Sequence, residues 1–492
     1  MSVRKFTPAL VTEYFRFFLS IVIVVFLTPY FLKTLGNIQF GIWVTLSSLV
    51  GYFGVLDLGL GGAMPKLFAE QLALKDFEKL AHLFSTLFFL LLAAGGLLLF
   101  SIFLFSLPLE NFLNIPGEYF LVGQTTLVLL SAAFSLSFIA NIFYSFLFGA
   151  SLLHVSNLIG IFSLLLLASL NVFLLQKGFG LPGIATANLI VNGVGLLLAW
   201  VCIKKRHPAI SIRWKFFDKR ILQTAVSLSL YVLVGNVAVR VISSTDNMVI
   251  SKFLGIQYVA AYAIAFRLCS LASNFVFSFT KIFLPNFSGL QATKDFSALR
   301  ELFLRCSQIA VSIGVACSIV LFFFGERIIR LWTGPDSFAG QPTLYTLATL
   351  LLTQPAIQMG TTTLLGLGKI KVSTTLIVVE ALINLALSIF LVRKVGVWGV
   401  ALGTLSAQLL TNFWFIPYYT TKQIEGNFFA YLQKVFLPSW MLALPSIVLA
   451  LALRHFYPSG SLPSAMAQIL CVSGFYGGTY ALWFRKGKAT TN

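Results

Sequence analysis

The sequence predicts an all-α integral membrane protein, with fourteen transmembrane helices forming two parallel, pseudo-symmetric six-helix lobes and a C-terminal helix pair. Three observations lead there. The 492 residues are 58% hydrophobic and 10% charged, with a mean hydropathy of +0.92, whereas a soluble domain carries about 25% charged residues. So few charges cannot cover a water-facing surface of this size, and fifty Phe suit lipid better than water. Apolar windows of about 20 residues, the length that crosses a bilayer, recur along the whole chain. Finally, the first half of the chain matches the second at a nearly constant offset.

The windows fall near 11–32, 39–57, 81–107, 119–148, 153–175, 181–203, 222–250, 257–284, 301–324, 342–365, 371–392, 397–418, 435–455 and 465–484. The N-terminal stretch, Met1 to Pro8, is short. The first apolar run exceeds a signal-peptide core and lacks a small-residue cleavage site, so it reads as a retained span. Most connections are short, and none is large enough to house a separate folded domain. No Walker sequence is present, so ATP hydrolysis by this chain is not expected. No outer loop holds a Ser/His/Asp set, a carboxylate cluster or an HExxH. His82, His154, His207 and His455 are scattered, mainly at span ends, where solvation is the default reading. Cys202, Cys269, Cys306, Cys317 and Cys471 form no CxxC pair, which suggests neither a disulfide framework nor a zinc site. The expectation is a protein that is not an enzyme and uses no cofactor or metal.

Residues 204–220 are the longest segment that cannot sit in a membrane, with seven Lys or Arg and one acid. A basic run in a soluble protein would suggest nucleic acid, but there is no soluble domain here to use it. Between hydrophobic spans such a run marks the cytoplasmic face, where anionic headgroups attract it. Ile210, Ile212, Trp214, Phe216 and Phe217 are threaded through the run, so part of it is expected to lie along the headgroup layer. With the N-terminus inside, inner segments hold 22 of the 34 basic residues and outer segments 8, the other four lying within spans. The positive-inside rule then puts both termini in the cytoplasm.

The repeat appears in three places. Lys33-Thr34-Leu35-Gly36 matches Lys252-Phe253-Leu254-Gly255 at an offset of 219. Gly149 and His154-Val155-Ser156 match Gly366 and Lys371-Val372-Ser373 at 217, and Pro182-Gly183-Ile184-Ala185 matches Trp398-Gly399-Val400-Ala401 at 216. Each is weak alone; together, in one order, they are hard to dismiss. The chain divides into an N-lobe (1–203, spans 1–6), the basic connector (204–220), a C-lobe (221–418, spans 7–12) and a final helix pair (419–492, spans 13 and 14). Six spans is an even number, so the two copies share one orientation, as in transporters whose site lies between parallel repeats.

Ionisable groups inside spans are costly and face a wet or protein-lined interior. Span 1 carries Glu13 and Arg16, whose i,i+3 spacing allows a local ion pair at headgroup level. Span 7 carries Arg240 and Asp246. Six residues is about 240° around a helix, so these two are poor partners for each other. Span 8 carries Arg267 and Lys281, about 21 Å apart on nearly one face, a cationic stripe through the membrane; Lys281, near the inner end, also suits simple snorkelling. Glu380 lies mid-span 11, with Asn384 at i+4. Cations outnumber acids on spans 1, 7 and 8, which points to an anionic substrate group passing between the halves. Arg16, Arg240, Arg267 and Lys281 are the substrate-binding candidates, since the guanidinium fork suits phosphate. Asp246 and Glu380 are candidates for cation or proton coupling, or for holding the arginines when the site is empty. The competing reading makes all of these buried salt bridges that fix helix register.

The stretch from Gly51 through Asp57, Gly59, Gly61 and Gly62 to Pro65-Lys66, leading to Ala69-Glu70, resembles the end of span 2 in polysaccharide repeat-unit flippases. These belong to the multidrug/oligosaccharidyl-lipid/polysaccharide exporter superfamily. Leu35-Gly36 with Phe40-Gly41-Ile42-Trp43 is similar to that family's span 1–2 turn, and Thr245-Asp246-Asn247-Met248-Val249-Ile250 with Phe253-Leu254-Gly255 and Tyr262 to the head of its second half. The resemblance covers the whole chain. On physical grounds Asp57 with its glycines is either a closely packed helix end or a hinge or gate, formed by Asp57, Gly59 and Gly61. The resemblance implies a flippase for polyprenyl-pyrophosphate-linked oligosaccharide, of O-antigen, capsule or exopolysaccharide type, in the bacterial plasma membrane. It further implies a cationic cavity lined largely by spans 1, 2, 7 and 8, and in related lipid II flippases a lipid-tail groove at spans 13 and 14. The expected partners are the lipid-linked oligosaccharide, H+ or Na+ and membrane lipids, with no nucleic acid. The expected state is a monomer, working beside polysaccharide polymerase machinery.

Two other functions compete. A multidrug/cation antiporter of the same superfamily would crowd its cavity with acids, and the count here runs the other way. A membrane-embedded polymerase or glycosyltransferase would show a sizeable outer loop with catalytic carboxylates, and none is present. A purely structural scaffold fits poorly with charges on so many spans.

Overall fold

The computed structural model describes residues 7–54, 60–106, 115–150, 152–208, 210–456 and 462–489. Among the described residues the regular structure is helical, with no strand. Ten helical stretches are long and apolar enough to cross a membrane, so the chain is a multi-pass membrane protein. Packing divides it into two compact units, Met1–Gln257 and Tyr258–Asn492.

The first unit contains α1 (Thr7–Tyr52), α2 (Leu60–Leu74), α3 (Phe77–Ser106), α4 (Phe120–Gly149), α5 (Leu153–Gln176), α6 (Gly180–Arg206) and α7 (Lys219–Phe253). The second contains α8 (Val259–Lys281), α9 (Leu284–Ala292), α10 (Phe296–Thr333), α11 (Gln341–Gly366), α12 (Ile370–Val395), α13 (Val397–Leu410), α14 (Asn412–Gln423), α15 (Phe428–Phe456) and α16 (Leu462–Ala489). The ten apolar stretches do not reproduce a count of fourteen. One of them, Phe15–Tyr52, carries two predicted spans, while α7, α11 and α16 fall outside the ten.

Spans 1 and 2 are joined by a single residue. Gly36 takes φ 74°, ψ 173° inside α1, a conformation open to glycine and strained for side chains. Its repeat partner Gly255 has φ 111° just after α7. The other matched glycines share a role too. A Cβ on Gly149, at the end of α4, would lie 2.7 Å from the Pro65 carbonyl oxygen of α2; one on Gly366, at the end of α11, would lie 2.8 Å from Phe287 Cβ of α9. Each half therefore seats a short helix on a glycine.

A fourth match becomes visible here. Lys75-Asp76-Phe77 and Lys294-Asp295-Phe296 stand 219 apart. Both lysines are left-handed, with φ 55° and 56°. Both aspartates then cap the next helix: Asp76 Oδ1 accepts from the Lys79 N–H and Asp295 Oδ1 from the Ala298 N–H, each at 3.0 Å. The bonds from Lys79 hold the Asp76 carboxyl below its ordinary range.

In the first unit Phe68, Phe84, Phe143 and Phe146 meet with ring centroids 5.3–5.9 Å apart. Span 7, counted by the repeat with the second half, packs as α7 on α1, α2 and α3 within this unit. The basic connector docks on α3: Ser85 Oγ donates to the Ser211 carbonyl at 3.2 Å, and Thr86 Oγ1 accepts from the Asp218 N–H at 2.9 Å. Ile210 is buried there while Trp214 stays exposed, stacked on Phe217. In the second unit Phe303, Phe428 and Phe436 surround Tyr431. Phe26, Leu121 and Phe429 are more than 70% exposed, which suits helix faces turned to hydrocarbon.

Candidate transport site

In the first unit α1 presents Arg16 and Glu13 one turn apart, with Arg16 Nη2 3.3 Å from Glu13 Oε1. This is the local pair that their spacing allows. Arg16 also borders a cavity of about 420 Å³ between α1, α5 and α6, with Glu13, Ser20, Ser163 and Asn192 on its walls. Gly160 of α5 makes room for it, since a Cβ there would lie 2.8 Å from Arg16 Cδ. The arginine stem thus lies across α5, while its charged end stays near polar groups, as an intramembrane cation requires.

A second cluster forms where α7 crosses the end of α1. The Arg240 guanidinium lies 3.8 Å from where a Gly51 Cβ would stand, with Nε 4.0 Å from the same point at Gly54. One to two turns further along α7, the Thr245 and Tyr52 hydroxyls are hydrogen-bonded, and Asn247 Nδ2 donates to Ser48 Oγ at 2.9 Å. Asp246, 1% exposed, is buried between these two anchors. Arg240 itself is exposed. The two charges sit on different faces, as a six-residue separation requires, yet α7 lays its whole 240–247 stretch along residues 48–54, the end of α1 and the two residues after it. Of the hinge candidates, Asp57 and Gly59 lie outside the described residues, and Gly61 falls in the first turn of α2.

In the second unit α8 exposes Arg267, Asn274, Ser278 and Lys281 along its length. Their separations of seven, four and three residues keep them on one polar stripe. Lys281 Nζ rests 4.2 Å from the Phe277 ring centroid one turn back, a cation–π contact that accompanies its exposed, snorkelling position. Ser273 donates to Gln354 of α11. The sequence reading picked out the two cations and passed over Asn274 and Ser278, although their spacing was available as a signal.

Glu380 lies elsewhere in this unit, 6% exposed on α12, and accepts from Asn412 Nδ2 at the start of α14. One turn on, Asn384 Nδ2 donates to Thr404 Oγ1 of α13 at 2.8 Å. Gln408 Nε2 of α13 donates to Thr353 Oγ1 of α11 at 2.6 Å. The span 12 segment breaks at Thr411, φ −121° and ψ −90°, and this break puts Asn412 opposite the carboxylate. Glu380 is therefore held by a neutral amide. Asn384 was named from sequence; Thr404, Gln408 and Asn412 were missed, because nothing local ties them to partners 20, 55 and 32 positions away.

Comparison with known proteins assigns the family. Residues 69–336 match the family described as "Polysaccharide biosynthesis protein", and residues 209–470 match that of the lipid II flippase MurJ. Each match spans more than half of the chain. The chain belongs to the flippases of the multidrug/oligosaccharidyl-lipid/polysaccharide exporter superfamily. Among its relatives, this flippase is 22% identical over 480 residues to the uncharacterized membrane protein EpsK of Bacillus subtilis, covering 96% of this chain and 94% of that one. An uncharacterized membrane protein of Methanocaldococcus jannaschii is 22% identical over 237 residues, where the flippase spans 46% of the relative's length and 47% of its own. An inward-facing multidrug-resistance MATE transporter superposes with a TM-score of 0.67 at 20% identity, over 82% of this chain and 98% of that one. A superfamily transporter from Pyrococcus furiosus gives 0.55 at 18% identity, over 83% and 95%. The likeness establishes a MATE-like transporter fold for the flippase.

Proposed function

We propose that this flippase translocates polyprenyl-pyrophosphate-linked oligosaccharide repeat units, of O-antigen, capsule or exopolysaccharide type, across the bacterial plasma membrane. The observation that carries the reading is the charge on the helices its two family matches share. Residues 209–336, common to both, contain Arg240, Arg267 and Lys281, each exposed, while Glu380 is sequestered on an amide and leaves the arginines unneutralised. An anionic cargo suits such side chains; the cationic cargo of an antiporter does not. The Pyrococcus furiosus transporter of this fold is described as having a binding pocket of reverse polarity that suggests a different function, which supports a departure from multidrug export on the same scaffold.

Mechanistically, the two lobes alternate access. Arg16, Arg240, Arg267 and Lys281 hold the pyrophosphate through charge-assisted hydrogen bonds, the sugar crosses in water and the polyprenyl tail stays in lipid. The cargo moves the equilibrium only through its different affinity for the two states. With no nucleotide motif, the drive is a proton or Na+ gradient, for which Asp246 and Glu380 are the candidate acceptors, the membrane potential, or removal of product on the far side. Asp57, Gly59 and Gly61 are the hinge or gate candidates of this cycle. Arg240→Ala and Arg267→Ala are each expected to abolish polymer export at unchanged expression, and full export by both would remove the pyrophosphate clamp. Purified protein in liposomes, offered polyprenyl-linked sugars with and without ion gradients, tests cargo and drive together.

A further inference from the structure

The second unit has a built groove on its flank that the transport reading leaves unused. Helices α10, α11 and α15 enclose about 520 Å³ of space between Ile319 and Phe323 on one side and Trp440, Ala443 and Ile447 on the other. Along α15 the lining runs from Trp440 to Arg454, fourteen residues or about 21 Å of helix. That exceeds the ~15 Å that half of a 30 Å hydrocarbon core offers. The groove opens toward lipid, because Trp440 is 49% exposed and Leu444, Val448 and Leu451 on the same helix are all more than half exposed.

At the Arg454 end the groove runs into a second cavity of about 350 Å³, which shares Phe322, Phe323, Tyr345 and Arg454 with it. This one is basic: Arg327, Arg330 and Arg454 line it against the single acid Glu326. Glu326 is already engaged, Oε1 accepting from Arg330 Nε at 2.9 Å and Oε2 from Gln341 Nε2 at 3.1 Å. Arg330 is further fixed over the Phe338 ring, 5.1 Å away. Arg327 donates to the neutral Gln468 of α16 at 3.4 Å. The lining thus carries three guanidinium groups against one carboxylate, a net positive charge at the end of an apolar channel.

We propose that this groove binds an anionic phospholipid of the surrounding bilayer, its acyl chain along α15 and its headgroup phosphate against Arg327 and Arg454. The guanidinium fork matches a phosphate better than a point cation does, and basic pockets between transmembrane helices suit anionic headgroups. A zwitterionic lipid would bring its own ammonium to the surplus cations. A free phosphate would leave the apolar groove unfilled, and a polyprenyl tail would overrun a channel of this length. The site is independent of which cargo the protein carries.

The test is native mass spectrometry of the full chain in detergent, with phosphatidylglycerol and phosphatidylcholine of identical chains. Phosphatidylglycerol should be retained roughly tenfold or more over phosphatidylcholine, a factor within reach of two charges near a headgroup. Arg327→Gln combined with Arg454→Gln should bring it down to the phosphatidylcholine level, and Ile447→Trp, which narrows the channel, should lower both lipids. Should the double variant fail to purify, the headgroup comparison on the unaltered protein and the Ile447→Trp variant decide. Equal retention of the two lipids, or undiminished phosphatidylglycerol on the charge variant, would overturn the proposal. So would displacement of phosphatidylglycerol by equimolar polyprenyl phosphate, which assigns the groove to cargo, or by inorganic phosphate, which assigns the basic pocket alone.

Discussion

Glu380 shows what a single buried carboxylate depends on. Its neighbour on the same helix, Asn384, is readable from the i+4 spacing, but its bonding partner is Asn412, 32 positions later and beyond the helix break at Thr411. Glu380→Ala would strip the Asn412 amide of its acceptor in an apolar interior. A buried polar group left unsatisfied costs about 1–3 kcal/mol, so the variant should melt earlier in detergent, whereas Glu380→Gln, which keeps a carbonyl acceptor, should melt close to the parent. Equal melting of all three proteins would mean that the Glu380–Asn412 bond anchors nothing. Arg16 and Arg240 teach the same lesson for cations. Their presence within spans is plain in the letters, but their surroundings are not: Gly160 on α5, which makes room for Arg16, and residues 51–54, against which Arg240 lies, show these roles only once the helices are packed.

At the scale of helices, the crossing of α10 and α11 is the tightest of the second unit's contacts through glycine. A Cβ on Gly314 would stand 2.3 Å from the Leu351 carbonyl oxygen and 2.5 Å from Pro355 Cγ. Backbone cannot yield as a flexible side chain does. Gly314→Ala should therefore separate the helices and destabilise the unit by roughly 1–3 kcal/mol, the usual penalty of overpacking, seen as a lower melting temperature. An unchanged melting temperature would show that α10 and α11 have slack there. The repeat belongs to this scale as well. Three matches were legible as letters, whereas the Lys-Asp-Phe corner at 75–77 and 294–296 stands out once two lysines with positive φ and two capping aspartates coincide. Three common letters carry little information; the same three at the same corner of two halves carry much more.

For the molecule as a whole, the decisive sequence signal is the asymmetry of Lys and Arg, 22 on one set of connections and 8 on the other. Under the positive-inside rule the connector is expected on the cytoplasmic side. In a background without native cysteines, Lys215→Cys should react with an impermeant thiol reagent in inverted vesicles and not in intact cells, and Lys394→Cys should do the reverse. Labelling of Lys215→Cys from outside would invert the topology and with it the direction of access proposed for the cargo. The division into units differs from the division by repeat, because α7 belongs to the second copy by sequence and packs on α1 to α3. A repeat records how a chain is written, while a compact unit records which apolar faces found each other.

The letters alone determined the class, the helical content and which charges lie within the predicted spans. All of these follow from composition and from intervals of a few residues, where hydrophobic burial and helix periodicity act locally. Tertiary structure decided which of those charges have company: Arg16 beside its cavity, Asp246 buried between two bonds to α1, Glu380 on an amide, and three arginines gathered at the end of an apolar groove. Partners brought together from 30 to 200 positions apart are chosen by packing, and packing depends on shapes and distances that no interval along the chain encodes.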